Sequence, residues 1–135
     1  MALIDWNDDF SVKVKSIDQQ HKKLLGLIND LHSAMKQGKG KNAVNKIVHE
    51  VIVYTQIHFS HEEDLMKKLA YPDYLKHKAQ HDALVKQVTD IEENLNAGKV
   101  VLSQDVLTFL KKWLIEHILD SDKNYSAYFN SNGIY

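Results

Sequence analysis

Cysteine is absent from the 135-residue chain. That excludes disulfides, thiolate zinc sites, iron–sulfur clusters and a cysteine nucleophile. Arginine is absent as well: all 17 cationic residues are lysine, set against 18 Asp and Glu for a net charge of −1. A nucleic-acid binder normally carries a basic excess and arginines that fork onto phosphate or guanine, so no nucleic-acid partner is expected. No apolar run approaches the roughly 18–20 residues that span a bilayer, so membrane insertion is not expected either. The first residues turn acidic at once, at Asp5, Asp8 and Asp9, without the basic and apolar regions of a secretion signal. A cytoplasmic setting is the expectation. Proline occurs once and glycine five times, whereas histidine reaches eight.

The few breaks fall where helices should end. Residues 36–41, 69–72 and 96–99 hold most of the glycine and the single proline, Pro72, and between them lie segments with the 3–4 spacing of an amphipathic helix. This predicts helices over about 16–36, 41–67, 72–96 and 104–121, followed by a C-terminal segment. Ser16-Ile17-Asp18-Gln19 fits a capping box for the first, and Pro72 suits the first turn of the third. Residues 1–15 alternate weakly through Ser11-Val12-Lys13-Val14-Lys15 and read as an extended N-terminal arm. Short links make neighbouring helices antiparallel, so the expected fold class is all-α, one up-down-up-down antiparallel four-helix bundle.

Each helix has an apolar stripe with histidine at one end. The stripes run His21, Leu24/Leu25, Ile28, Leu31, Met35; Val44, Ile47/Val48, Val51, Thr55, His58, Glu62, Leu65/Met66; Tyr74, His77, His81, Leu84, Val88, Ile91, Leu95; and Val106, Leu110, Trp113/Leu114, His117. One histidine on such a stripe is usually an ordinary boundary residue. Five of them with a glutamate, on four stripes, is a different matter, because buried polar groups need partners and clustered imidazoles with carboxylates find them at a metal. His58/Glu62 and His77/His81 are spaced i,i+4, one turn apart on one face. In an antiparallel bundle the start of the first and third helices and the end of the second and fourth lie at one level, so the five histidines meet. His49, nine positions before His58, is about 180° away around its helix and should face solvent. His32 lies three turns from the cluster, and His61 is expected at the surface.

Imidazole with carboxylate suits zinc, iron, copper or nickel. A single zinc needs only three or four ligands, so this set overshoots. There is no Glu-x-x-His of the ferritin-like di-iron proteins and no His-Glu-x-x-His of a zinc protease. A histidine-rich, carboxylate-poor dinuclear site is left.

At these residues the chain resembles the hemerythrins, specifically the bacterial single-domain members. That pattern is His on the first helix, His-x-x-x-Glu on the second, His-x-x-x-His on the third and His-x-x-x-x-Asp on the fourth. Here it reads His21, His58 to Glu62, His77 to His81, and His117 to Asp122. Ile17-Asp18-Gln19-Gln20-His21, Tyr71-Pro72 and Trp113-Leu114-Ile115-Glu116-His117-Ile118 are similar to the family too.

The resemblance implies two iron ions joined by an oxo or hydroxo bridge. His77, His81 and His117 would hold one, His21 and His58 the other, with Glu62 and Asp122 bridging. It also implies reversible dioxygen binding for storage, delivery or buffering, with an oxygen-consuming enzyme as recipient, rather than catalysis. Leu24, Phe59, Trp113, Leu114 and Ile118 would wall the oxygen pocket. A dry pocket matters because water or protons reaching bound dioxygen turn reversible uptake into irreversible oxidation. Tyr125, three after Asp122, would donate a hydrogen bond to a bridging carboxylate.

If both irons are octahedral they offer twelve positions. Five imidazoles, two bridging carboxylates and one bridging oxygen fill eleven, leaving one on the two-histidine iron for a diatomic ligand. A di-iron enzyme acting on peroxide, nitric oxide or dioxygen, or an oxygen or redox sensor module, is the alternative. A phosphotransfer bundle would need one exposed histidine rather than five buried ones.

Asp122 is five residues after His117, about 140° out of line on an ideal α-helix. A π-turn or local unwinding between Ile118 and Asp122 is therefore expected. His77→Ala should lose bound metal and bundle stability together, whereas His49→Ala should keep full metal content by elemental analysis; loss of metal in the second variant would mean a wrong helical phase.

Overall fold

The structure, a computed structural model, describes residues 3–98 and 104–135. The side chains of residues 120 and 121 and the Ser103 that precedes the fourth helix lie outside that description. Four long helices form the bundle: α1 (Lys15–Lys36), α2 (Lys41–Lys68), α3 (Tyr74–Asn96) and α4 (Gln104–Glu116). A π-helical turn (His117–Ser121), a 3₁₀ turn (Asp122–Tyr125) and the short α5 (Ser126–Ser131) follow. Among the described residues there is no strand, and the all-α bundle is as expected. No helix among them is long and apolar enough to cross a membrane.

The helix ends are fixed by backbone chemistry. After α1, Lys39 N–H bonds Ala34 O at 3.0 Å and Gly38 N–H bonds Met35 O at 3.1 Å. This closes a Schellman motif in which Gly38, at φ 67°, takes the left-handed position that favours glycine. The same motif ends α2, with Tyr71 N–H on Met66 O at 2.9 Å, but there the left-handed residue is Ala70 at φ 53°. The Tyr128 hydroxyl, donating to the carbonyls of Leu69 and Ala70, holds it in place.

Two expectations are corrected. The α1 cap is not Ser16: Val14 occupies the N-cap without a side-chain bond. Asp18 instead turns back to accept from Val12 N–H at 2.9 Å and Ser11 Oγ–H at 2.6 Å, tying the arm to the helix start. Pro72 is not in the first turn of α3. It sits at the second position of a turn closed by Tyr74 N–H on Tyr71 O at 3.1 Å, where its fixed φ fits, so the helix begins at Tyr74. The fourth helical segment reaches Ser121 but changes from α to π geometry at His117.

The apolar stripes meet in one main core built around Leu24, Ile28, Leu31, Leu95, Leu107, Leu110 and Ile118. The described part of the arm is irregular, with a 3₁₀ turn at Asp8–Phe10 and Lys13 in the left-handed region at φ 60°. It is pinned to α1 by paired bonds, both 2.8 Å, between the Asn29 amide and the Ile4 backbone. Val12 and Val14 turn inward with Ile17, Met66, Tyr71, Tyr125 and Phe129 to form a second, smaller core. Ser126 Oγ–H to Val12 O and Asn130 Nδ2–H to Lys13 O stitch α5 to the arm. Arm and tail together close the end of the bundle where the histidines collect.

Ile28 is fully buried in the main core. Ile28→Ala should destabilise the metal-free protein by about 2–5 kcal/mol. Leu75→Ala, at a position 77% exposed, should change it by less than about 0.5 kcal/mol; denaturant midpoints check both.

Candidate metal centre

The histidines and carboxylates converge through side-chain phase on α1, α2 and α3 and through a backbone departure after α4. In the π-turn, Asp122 N–H reaches back to His117 O, five residues earlier. Widening the turn to five residues returns Asp122 to the face of His117, and the two side chains meet with Nε2 2.9 Å from Oδ1. The expected departure from α-helix is present.

All seven side chains, His21, His58, Glu62, His77, His81, His117 and Asp122, are buried. Their ligand atoms form two clusters, each within 4.8 Å: His21, His58, Glu62 and Asp122 in one, His77, His81, His117, Glu62 and Asp122 in the other. The carboxylate oxygens divide between them. Glu62 Oε1 lies 2.6 Å from His58 Nε2 and 3.6 Å from His21 Nε2, and Asp122 Oδ2 lies 2.9 Å from His21 Nε2. On the opposite side Glu62 Oε2 is 3.3 Å from both His77 and His81 Nε2, while Asp122 Oδ1 is 3.1 Å from His77 Nε2 and 2.9 Å from that of His117.

Apart from His77 Nε2, in hydrogen-bond range of Glu62 Oε2 at 3.3 Å, close approach here is not hydrogen bonding. The Nε2 atoms of His21, His58, His81 and His117, and both oxygens of Asp122, are buried without an aligned hydrogen-bond partner. Buried polar atoms left so are costly. Imidazole nitrogens and carboxylate oxygens that crowd one another without alignment are aimed at common third points, and that donor set fits cations.

The backs of two of the rings are held too. Gln20 Oε1 lies 2.6 Å from His58 Nδ1, and Glu63 Oε2 lies 2.9 Å from His81 Nδ1. Tyr125 donates to Glu62 Oε1 at 3.2 Å, the expected bond, and Phe59 stacks flat on His81 at 3.7 Å between centroids. Leu24, Trp113, Leu114 and Ile118 are buried in the main core that also contains Phe59. Trp113 and His117 also line a cleft between α3 and α4 of about 530 Å³, with Gln80, Leu84, Gln87 and Phe109. Of the other histidines, His49 is exposed and pairs with Glu92 at 2.8 Å. His61 is half-buried at the surface against Ser16 Oγ, and His32 joins neither cluster. Sequence reasoning missed Gln20 and Glu63; each is a long polar residue directly beside a ligand position, the one signal that pointed to them.

Without a cation the groups titrate against each other. Burial pushes the His21 and His77 imidazoles down, but the Asp122 and Glu62 carboxylates beside them outweigh it and raise both to about 9. At His58 burial wins and the imidazole is pushed down. Burial also opposes ionisation of Glu62 and Asp122, yet the facing imidazoles hold both well below the usual carboxylate range. Burial and the adjacent carboxylates push the Tyr125 hydroxyl well up, so it stays a donor.

A four-helix bundle with this histidine–carboxylate cage at one end is a cation-binding bundle. A family profile described as the hemerythrin HHE cation binding domain matches residues 12–129. The chain is similar to the bacteriohemerythrin of Stenotrophomonas maltophilia, 36% identical over 93% of this chain and 81% of the relative. Against that of Methylococcus capsulatus it is 36% identical over 93% and 95%. A crystal structure of wild-type hemerythrin superimposes with a TM-score of 0.88 at 35% identity, over 93% of this chain and 97% of the other. The chain belongs to the hemerythrin family. Family and fold together support non-haem iron at this site and dioxygen as what it binds.

Metal ligands must be deprotonated, whereas His21 and His77 are protonated in the metal-free protein until pH passes about 9. Their pairing stabilises that form fully below the ordinary histidine pKa, about 6.5, and this contribution is lost as pH rises through 9. Cation uptake at pH 7 should therefore expel about two protons per chain, fading above pH 9; an indicator-dye titration in weak buffer reads it, and no release at pH 7 would contradict these pairings.

Proposed function

We propose that the chain binds one dioxygen reversibly at a pair of non-haem iron ions and serves in oxygen storage, delivery or buffering in the cytoplasm. His21 and His58 would hold one ion, His77, His81 and His117 the other, and Glu62 and Asp122 would bridge them. The observation that carries this reading is the division of the carboxylate oxygens. One oxygen of each carboxylate faces the two-histidine group and the other faces the three-histidine group. A single-ion site has no use for that arrangement. When bound there, a ferrous pair would supply reversible two-electron chemistry toward dioxygen.

The chain's own residues make the exchange reversible. The Tyr125 hydroxyl keeps Glu62 in its bridging orientation by donating to Oε1. Phe59 packs against the His58, His81 and His117 rings, and Trp113, Leu24, Leu114 and Ile118, buried in the same core, would complete an apolar wall that limits water and stray protons. Two carboxylates among five imidazoles offer little to stabilise iron at high valence, and the stripes carry no further acid–base pair for turnover. Those features favour a carrier that passes oxygen to a consuming enzyme over a di-iron catalyst.

Anaerobic titration of the iron-loaded, reduced protein should saturate at one dioxygen per two irons and reverse under argon, followed by visible absorption. Saturation at one per iron, irreversible oxidation, or peroxide turnover at enzymatic rates would overturn the carrier reading.

A further inference from the structure

The two donor groups are held from behind by unlike partners, and we propose that Glu63 is a positioning residue that makes His81 the strongest donor of the three-imidazole group. This rests on the cation-pair reading above. An ionised carboxylate only accepts hydrogen bonds. The 2.9 Å contact of Glu63 Oε2 with His81 Nδ1 therefore puts the ring proton on Nδ1 and leaves Nε2, 3.3 Å from Glu62 Oε2, with its lone pair toward the site. A charged acceptor also pulls on that proton and raises electron density at Nε2.

Glu63 is itself restrained. Lys78 Nζ stands 3.9 Å from its other oxygen and is anchored by Asp82 at 3.0 Å. With its side chain only 16% exposed, Glu63 is screened less than a surface carboxylate. Phe59, parallel to His81 within 2°, removes the remaining freedom of that ring. Across the site the matching place behind His58 is taken by the neutral amide of Gln20, 2.6 Å from Nδ1. One ring in each group is thus backed, His81 by a negative charge and His58 by a dipole. The cation held by His77, His81 and His117 is thereby the more tightly bound of the two, beyond what its extra imidazole supplies.

Cobalt(II) titration of the metal-free full-length protein, by calorimetry and visible absorption, separates the possibilities. Wild type should bind in two steps of unequal affinity. Binding of fewer than two ions would overturn the cation-pair reading and this inference with it. Glu63→Gln keeps an oxygen acceptor but removes the charge. It should weaken the tighter step about 10–100-fold while leaving the weaker step and the helix content of the metal-free protein unchanged. Two wild-type steps in Glu63→Gln would overturn the role of Glu63 alone. Should that variant fail to fold, Gln20→Glu carries the test: it should tighten the weaker step, and no tightening overturns the proposal.

Discussion

Two ionised carboxylates, Glu62 and Asp122, are fully buried inside an apolar bundle and lie within reach of the same imidazoles. An isolated buried charge is among the most expensive things a fold can contain, and these two also repel each other. Five imidazoles from four segments of chain are gathered around them, each of which must carry a proton or face a cation. Protons satisfy the set imperfectly, since His58 resists protonation by burial and most contacts lack hydrogen-bond alignment. The bundle is therefore built for a positive charge that its own side chains supply only in part, and metal binding and stability are linked through that deficit.

Everything else at that end of the molecule serves position. Phase alone brings His21, His58, Glu62, His77 and His81 inward from regular helices. Asp122 needs the π-turn, and a π-turn is less stable than the α-helix it interrupts. It is supported from outside by packing: Tyr125 and Phe129, just beyond it, are fully buried against Val12, Val14 and Met66. The second small core thus holds the one irregular ligand segment in register with the three regular ones.

The fold was largely legible in the sequence, because period and punctuation carry it: Gly38 and Gly98 terminate α1 and α3 at left-handed positions, and the stripes predict the core. Four of the seven cage residues, His58, Glu62, His77 and His81, follow from i,i+4 spacing and bundle level, and His21 and His117 from level alone. Asp122 was reached through the family pattern, since ideal helical phase points it elsewhere. Helix ends were less legible. The start of α1 depends on Asp18 folding back to the arm, and the end of α2 on a tyrosine 58 residues away bracing a left-handed alanine; neither contact has a local signature. Gln20 and Glu63 escaped for the same reason. What they do is decided by which ring a long side chain on another helix presents to them.

The stitch between the arm and α5 joins residues 114 and 117 positions apart. Contacts so distant in sequence form late, after the nearer ones have shortened the loops between them. During synthesis the first three helices, with four of the five cage histidines, are made before His117 and Asp122. A nascent chain thus presents an open, four-imidazole vestibule with one carboxylate, and the lid that completes the cage arrives with the last segment to dock. Closure of the cage is consequently a late event in assembly.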